Sequence, residues 1–151
     1  MLWGCEMIGK VQWTPRAKLE KYLDELCSEY VRRRAIVIDG GCQRCGALKF
    51  DIQKEDGSIL PAWKQLQCAH LISRWHKSTR WDEDVALGLC GGCHQWIDHE
   101  EEEKLRLLIK TLGEERAMLL KARSRQTGKP DLQGLILYYQ EKIKEIRHDR
   151  Y

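Results

Sequence analysis

Apolar positions recur at helical spacing early in the chain. Leu19, Tyr22, Leu23, Leu26 and Tyr30 form one stripe, and Thr14-Pro15 ahead of them joins a hydroxyl N-cap to proline at the first helical position. A helix is expected from there to about Ala35. Ile36-Val37-Ile38 is a short β-branched run, and Asp39-Gly40-Gly41 turns the chain. Residues 47–66 give no clear period, although Asp56-Gly57 is a turn signal able to close a hairpin. Leu66 to Ile72 reads as a strand. Residues 73–84 are polar, with Trp75 and Trp81 set among Arg74, His76, Lys77 and Arg80. Val85 to Leu89 is apolar again. From about Gly92 the pattern predicts a helix that buries Trp96, Ile97, Leu105, Leu108 and Ile109 and stops at Gly113. A further helix is expected over about Glu114 to Ser124. After a break at Gly128-Lys129-Pro130-Asp131, a last one covers about Leu132 to His148 and packs on the first helix.

Cysteines change this picture most. Cys42-Gln43-Arg44-Cys45 and Cys90-Gly91-Gly92-Cys93 are two Cys-x-x-Cys knuckles, and Gly46 after the first suits a tight turn with positive φ. Two thiolate pairs on two short loops are what a tetrahedral structural zinc ion requires. Of seven cysteines, Cys5, Cys27 and Cys68 remain, an odd number that argues against a disulfide framework. Cys68 reads as a small core residue.

The chain has 151 residues, 32% of them charged, enough for one domain with a modest core. No stretch approaches the length of a membrane span. The first seven residues lack the basic flank and apolar run of a signal peptide, so a cytoplasmic location and no membrane partner are expected. Net charge is only +3, so nucleic acid would have to be held by local patches: Arg32 to Arg34, Arg74 to Arg80, and Lys121 to Arg125. Glu100 to Glu103 reads as a solvated helix face, and His76 and His99 as surface residues.

Two imidazoles lie close to the knuckles without being needed by the zinc. His70 falls between them and His94 directly follows the second. The order Cys42-Gln43-Arg44-Cys45-Gly46, then Ala69-His70, then Leu89-Cys90-Gly91-Gly92-Cys93-His94 resembles the HNH, or ββα-metal, endonucleases over residues 40–99. A narrower resemblance, to phage recombination proteins of the NinG type, adds Leu66 to Arg74, Thr79 to Asp84, Leu112 to Arg116, and the basic helix end Tyr30 to Arg34.

That resemblance implies an α+β, helix-rich domain over residues 1–151. Its zinc-stapled, treble-clef-like ββα-metal core would occupy 40–111, flanked by a helical segment at 1–39 and C-terminal helices at 112–151. It also implies a metal-dependent DNA endonuclease acting on duplex or branched DNA and leaving a 5′-phosphate and a 3′-hydroxyl. His70 would be the general base, since neutral imidazole suits that role near pH 7. His94 would hold Mg²⁺ or Mn²⁺. Asp98, four residues on and so on the same helical face, would be an added ligand. Arg74, Lys77 and Arg80 would grip phosphates. Trp75 and Trp81 either stack on unpaired bases or pack in the core. A two-fold homodimer would suit a branched junction. The chain departs from the family at Ala69, where a metal-binding aspartate or histidine is usual, and at Val85, the usual place of an asparagine that ties down the backbone near the base. Asp82 or Asp84 could take over that support. The rival reading is a zinc-stabilised DNA-binding or adaptor module without catalysis.

Overall fold

The computed structural model describes residues 15–148. Helix α1 (Arg16–Asp39) starts after Pro15, whose fixed φ suits a helix entry. The expected cap at Thr14 lies outside the described residues. The helix does not stop at Ala35. It runs on through Ile36-Val37-Ile38 to Gly40, where φ is +72° and the N–H closes on Ile36 O. β-branched residues disfavour a helix only weakly, and an αL glycine is a stronger stop. The buried seam is Leu23, Cys27, Tyr30, Val31 and Ala35, so it is turned towards Cys27 and Val31 and leaves Tyr22 at the surface.

The first knuckle follows at once. Cys42 N–H donates to Ala47 O and Gly46 N–H to Cys42 O, with Gly46 at φ +76°. Strands β1 (Ile52–Gln53) and β2 (Ile59–Leu60) then pair antiparallel across the Asp56-Gly57 turn. A 3-10 turn at Ala62–Gln65 leads into β3 (Gln67–His70). After a long connection and a second 3-10 turn at Glu83–Val85, β4 (Ala86–Leu89) pairs antiparallel with β3, Gln67 opposite Leu89 and His70 opposite Ala86.

Helix α2 (Gly91–Ile97) starts inside the second knuckle. The single helix expected up to Gly113 is in fact two. The chain turns at Asp98 to Glu100, where Glu100 leaves helical geometry (φ −122°, ψ 80°), and α3 (Glu101–Leu112) begins. The acids at Glu101, Glu102 and Glu103 then occupy the first turn of a new helix, where its dipole favours negative charge. Helices α4 (Glu114–Ser124) and α5 (Leu132–His148) follow as the pattern predicts, and α5 packs along α1.

One apolar cluster joins these pieces, from Leu23 and Val31 on α1 through Leu87 and Leu89 on β4 and Ile97 and Leu108 to Ile136, Tyr139 and Ile143 on α5. β4 is buried along its whole length. The chain is therefore helix-rich, with two small two-stranded sheets. No helix among the described residues is long and apolar enough to cross a membrane. Trp96, expected in the core, is 43% exposed.

Candidate metal centre and histidine cleft

The two knuckles meet. Gln43 N–H donates to Gly88 O at 2.9 Å, and Gly88 N–H returns to Gln43 Oε1 at 3.0 Å, so the first knuckle is laced to β4 just before the second. The sulfurs of Cys42, Cys45, Cys90 and Cys93 lie within 4.8 Å of one another, and Cys45 Sγ and Cys90 Sγ are 3.9 Å apart. A tetrahedral Zn–S distance of about 2.3 Å gives edges of roughly 3.8 Å. The four cysteines therefore fit a metal ion such as zinc.

Electrostatics agree with this geometry. Burial raises the Cys42 thiol, but backbone N–H groups of Cys45, Cys90 and Arg44 outweigh it and bring the group down to about 6. Cys93 is pushed up to about 12 by burial. Arg44 opposes that rise, and hydrogen bonds with the other three thiols add to it. The cluster takes its first negative charge readily and its last with difficulty, a penalty that a central cation removes. Arg44 Nη1 donates to Cys93 Sγ at 3.3 Å while its guanidinium lies 3.8 Å from the Trp96 ring centroid. This explains the exposure of Trp96, which is the platform for an arginine that serves the sulfur cluster.

A cleft of about 1020 Å³ contains both histidines. Its walls are α1 (Asp24, Ser28, Arg32), β3 (Cys68, His70), the connection after β3 (Arg74, Trp75, Lys77, Arg80), α2 (His94, Asp98) and α3 (Glu101, Lys104). Cys68 and His70 share it because residues two apart on a strand face the same way.

His70 Nε2 lies 3.3 Å from Arg80 O, which assigns the proton to Nε2 and leaves Nδ1 with the lone pair. Burial holds the imidazole well below its usual range, at about 4. Arg74 adds to the depression, while the Arg80 carbonyl and Asp24 oppose it. At neutral pH His70 is thus an uncharged acceptor.

His94 Nδ1 lies 2.7 Å from Gln67 Oε1, so its proton sits there and Nε2 carries the lone pair. That nitrogen is 3.4 Å from Asp98 Oδ1. The two groups are near enough to donate to one coordination sphere.

The structure places Arg74, Lys77 and Arg80 along the cleft, and each is already paired. Arg74 Nη2 and Arg80 Nη2 reach Asp24 Oδ2 at 2.7 and 2.5 Å, and Lys77 Nζ reaches Glu20 Oε2 at 2.7 Å. Asp24 also accepts from Trp81 Nε1 at 2.8 Å. Its burial raises the carboxyl, yet Arg80 and Trp81 together hold it below the usual range. The two tryptophans separate: Trp81 is core at 3% exposure, and Trp75 is 91% exposed on the cleft lip.

Ala69 and Val85 are both fully buried. The Val85 carbonyl nonetheless accepts from Leu71 N–H at 2.7 Å, tying down the backbone beside His70 by main chain instead of by an amide side chain. Asp82 and Asp84 pair with Arg123 and Arg116 on α4, and Asp82 Oδ1 also accepts from Asp84 N–H at 2.8 Å, capping the turn that leads to Val85. Sequence reasoning missed Glu20, Asp24, Gln67 and Arg44, and named Arg32 only as part of the basic run Arg32 to Arg34. The i, i+4 acids Glu20 and Asp24 left a trace as a charged line on α1.

Five acids and five bases line the cleft, so its formal charge is zero before any cation binds. Comparison of the chain with protein-family models, curated proteins and solved structures finds no match.

Proposed function

We propose that this chain is a metal-dependent DNA endonuclease with a zinc-stapled ββα-metal core, and that branched recombination DNA of the kind handled by NinG-type proteins is its substrate class. The observation that carries the reading is the convergence of His70 and His94 on one cleft, from β3 and from the helix that starts in the second knuckle. Cys42, Cys45, Cys90 and Cys93 would hold the structural zinc. His94 Nε2 and Asp98 would hold Mg²⁺ or Mn²⁺, with Gln67 keeping the proton on the opposite nitrogen. Such an ion supplies positive charge to the phosphate and its leaving oxygen.

His70, neutral and with its lone pair on Nδ1, would take the proton of the attacking water. Its depressed pKa makes it always available and a weak base, so a water made more acidic by its surroundings suits it. The zero formal charge of the cleft supports a cation requirement, because a phosphodiester gains little there without one. Trp75 offers a stacking face at the lip for an unpaired base.

The pairing of Arg74, Lys77 and Arg80 with α1 carboxylates favours a second reading, a zinc-stabilised DNA-binding or adaptor module without catalysis. Plasmid and a synthetic four-way junction, incubated with the protein and Mg²⁺ or Mn²⁺, separate the two. The endonuclease reading expects nicks with 5′-phosphate ends, lost in His70→Ala at unchanged zinc content, and a changed divalent-ion dependence in His94→Ala. Retention of DNA without nicking would establish the second reading.

A further inference from the structure

We infer that Arg32 on α1 is the anion anchor of the cleft, the guanidinium that receives a phosphate. This rests in part on the endonuclease reading, since a phosphodiester is the natural ligand there. The residue itself is singled out by what its neighbours are doing.

Within the basic run at the end of α1, Arg33 Nε is 2.8 Å from Glu29 Oε1. Arg34 donates to the carbonyls of Glu83 and Ala86, both at 3.0 Å. Among the cations that line the cleft, Arg74, Arg80 and Lys77 are held by Asp24 and Glu20, and Lys104 is held by Glu101 at 2.9 Å. Among the described residues, Arg32 is the one cleft-lining cation with no carboxylate within 4.0 Å.

Its orientation is fixed by contacts that leave its charge free. The guanidinium lies 4.7 Å from the ring centroid of Trp63, a buried residue, and Nε donates to Ser28 O at 3.1 Å. Stacking occupies the flat face of a guanidinium and leaves its edge. With Nε engaged, the two terminal NH₂ groups remain, and they form the fork that meets two oxygens of one phosphate. No buried side-chain nitrogen or oxygen lacks a partner among the described residues, so these NH₂ groups reach solvent instead of being shut away. A partly desolvated fork, held at Nε and over a ring and with no carboxylate within ion-pair distance, is a better anion site than a cation that must first release one.

The test uses the full chain loaded with zinc, as wild type, Arg32→Gln, Arg32→Lys and Arg74→Gln. Inorganic pyrophosphate is titrated and followed by the ¹⁵N–¹H signal of the Arg32 Nε and by calorimetry. Arg32→Gln is expected to lose about tenfold or more in affinity, the size of one charge-assisted contact. Arg32→Lys should keep part of the binding, and Arg74→Gln nearly all of it. Equal binding by wild type and Arg32→Gln, no pyrophosphate binding by wild type, or a larger loss in Arg74→Gln would overturn the assignment. Circular dichroism and zinc content identify any variant that has not folded; if Arg32→Gln has not, the calorimetry of Arg32→Lys and the wild-type shift of the Arg32 Nε signal on titration decide. A duplex-DNA arm runs beside it. If DNA is neither bound nor cut, the endonuclease reading fails and the pyrophosphate arm still decides on Arg32.

Discussion

His70 joins burial to chemistry. Its imidazole stays neutral down to about pH 4 in the folded chain, whereas an unfolded histidine protonates near 6.5. The folded pKa is the lower one, so the native state is at full strength above 6.5 and loses stability as pH falls towards 4, with no further loss below. At pH 5 the difference is about 2 kcal/mol. Urea unfolding at pH 7 and pH 5 should therefore show wild type losing about 2 kcal/mol more than His70→Gln. Acid loss of zinc affects both proteins alike and cancels in the comparison. Equal losses would mean that His70 is solvated in the native state.

Among the elements, α1 and β4 set the architecture by lying against each other without side-chain padding. A Cβ on Gly88 would stand 2.6 Å from Ala35 Cβ, closer than two carbons approach. Gly88→Ala is expected to push helix and strand apart and to cost about 1–3 kcal/mol, read as a lower urea midpoint. An unchanged midpoint would mean that the two can slide past one another. Much at this scale was legible in the sequence. Helix ends at Gly113 and Leu132, the hairpin turn at Asp56-Gly57 and the strand bearing His70 depend on local chemistry, which a sequence carries directly. The division of the predicted 92–113 helix was hidden, because the polar stretch 98–104 holds no glycine or proline to mark the turn at Asp98 to Glu100. The exposed Trp96 was hidden too, since its partner Arg44 lies on the other knuckle, far away in the chain.

For the whole molecule, the cysteine cluster and the helical pair α1–α5 are held together by different means. Four cysteines fix the knuckles, while Leu23, Ile136, Tyr139 and Ile143 bury apolar surface that needs no metal. Removal of the ion by a strong chelator is expected to expose the amides of Cys42, Gly46 and His94 to hydrogen exchange while those of α5 stay protected. Loss of protection throughout would show that the staple supports the entire fold. The same division explains which parts of the site could be read from sequence. Cysteine spacing announced the cluster, and His94 directly follows one of its members. The partners that tune the cleft, Asp24 with Arg80 and Gln67 with His94, join residues 56 and 27 positions apart, and no local pattern encodes such pairs.

The connection between β3 and β4 has one more consequence. Its charged residues are tied on one side to Glu20 and Asp24 of α1 and on the other, through Asp82 and Asp84, to Arg123 and Arg116 of α4. Pairs of this partly exposed kind contribute about 0–1 kcal/mol each and fade as ions screen them. Ionic strength is therefore a control on this segment separate from heat or denaturant. Added salt loosens the tethers and releases Arg74 and Lys77 from their carboxylates, and it also weakens whatever polyanion they would then meet. The two effects oppose each other, so the cleft's grip on a charged ligand should peak at an intermediate salt concentration instead of declining steadily from the lowest.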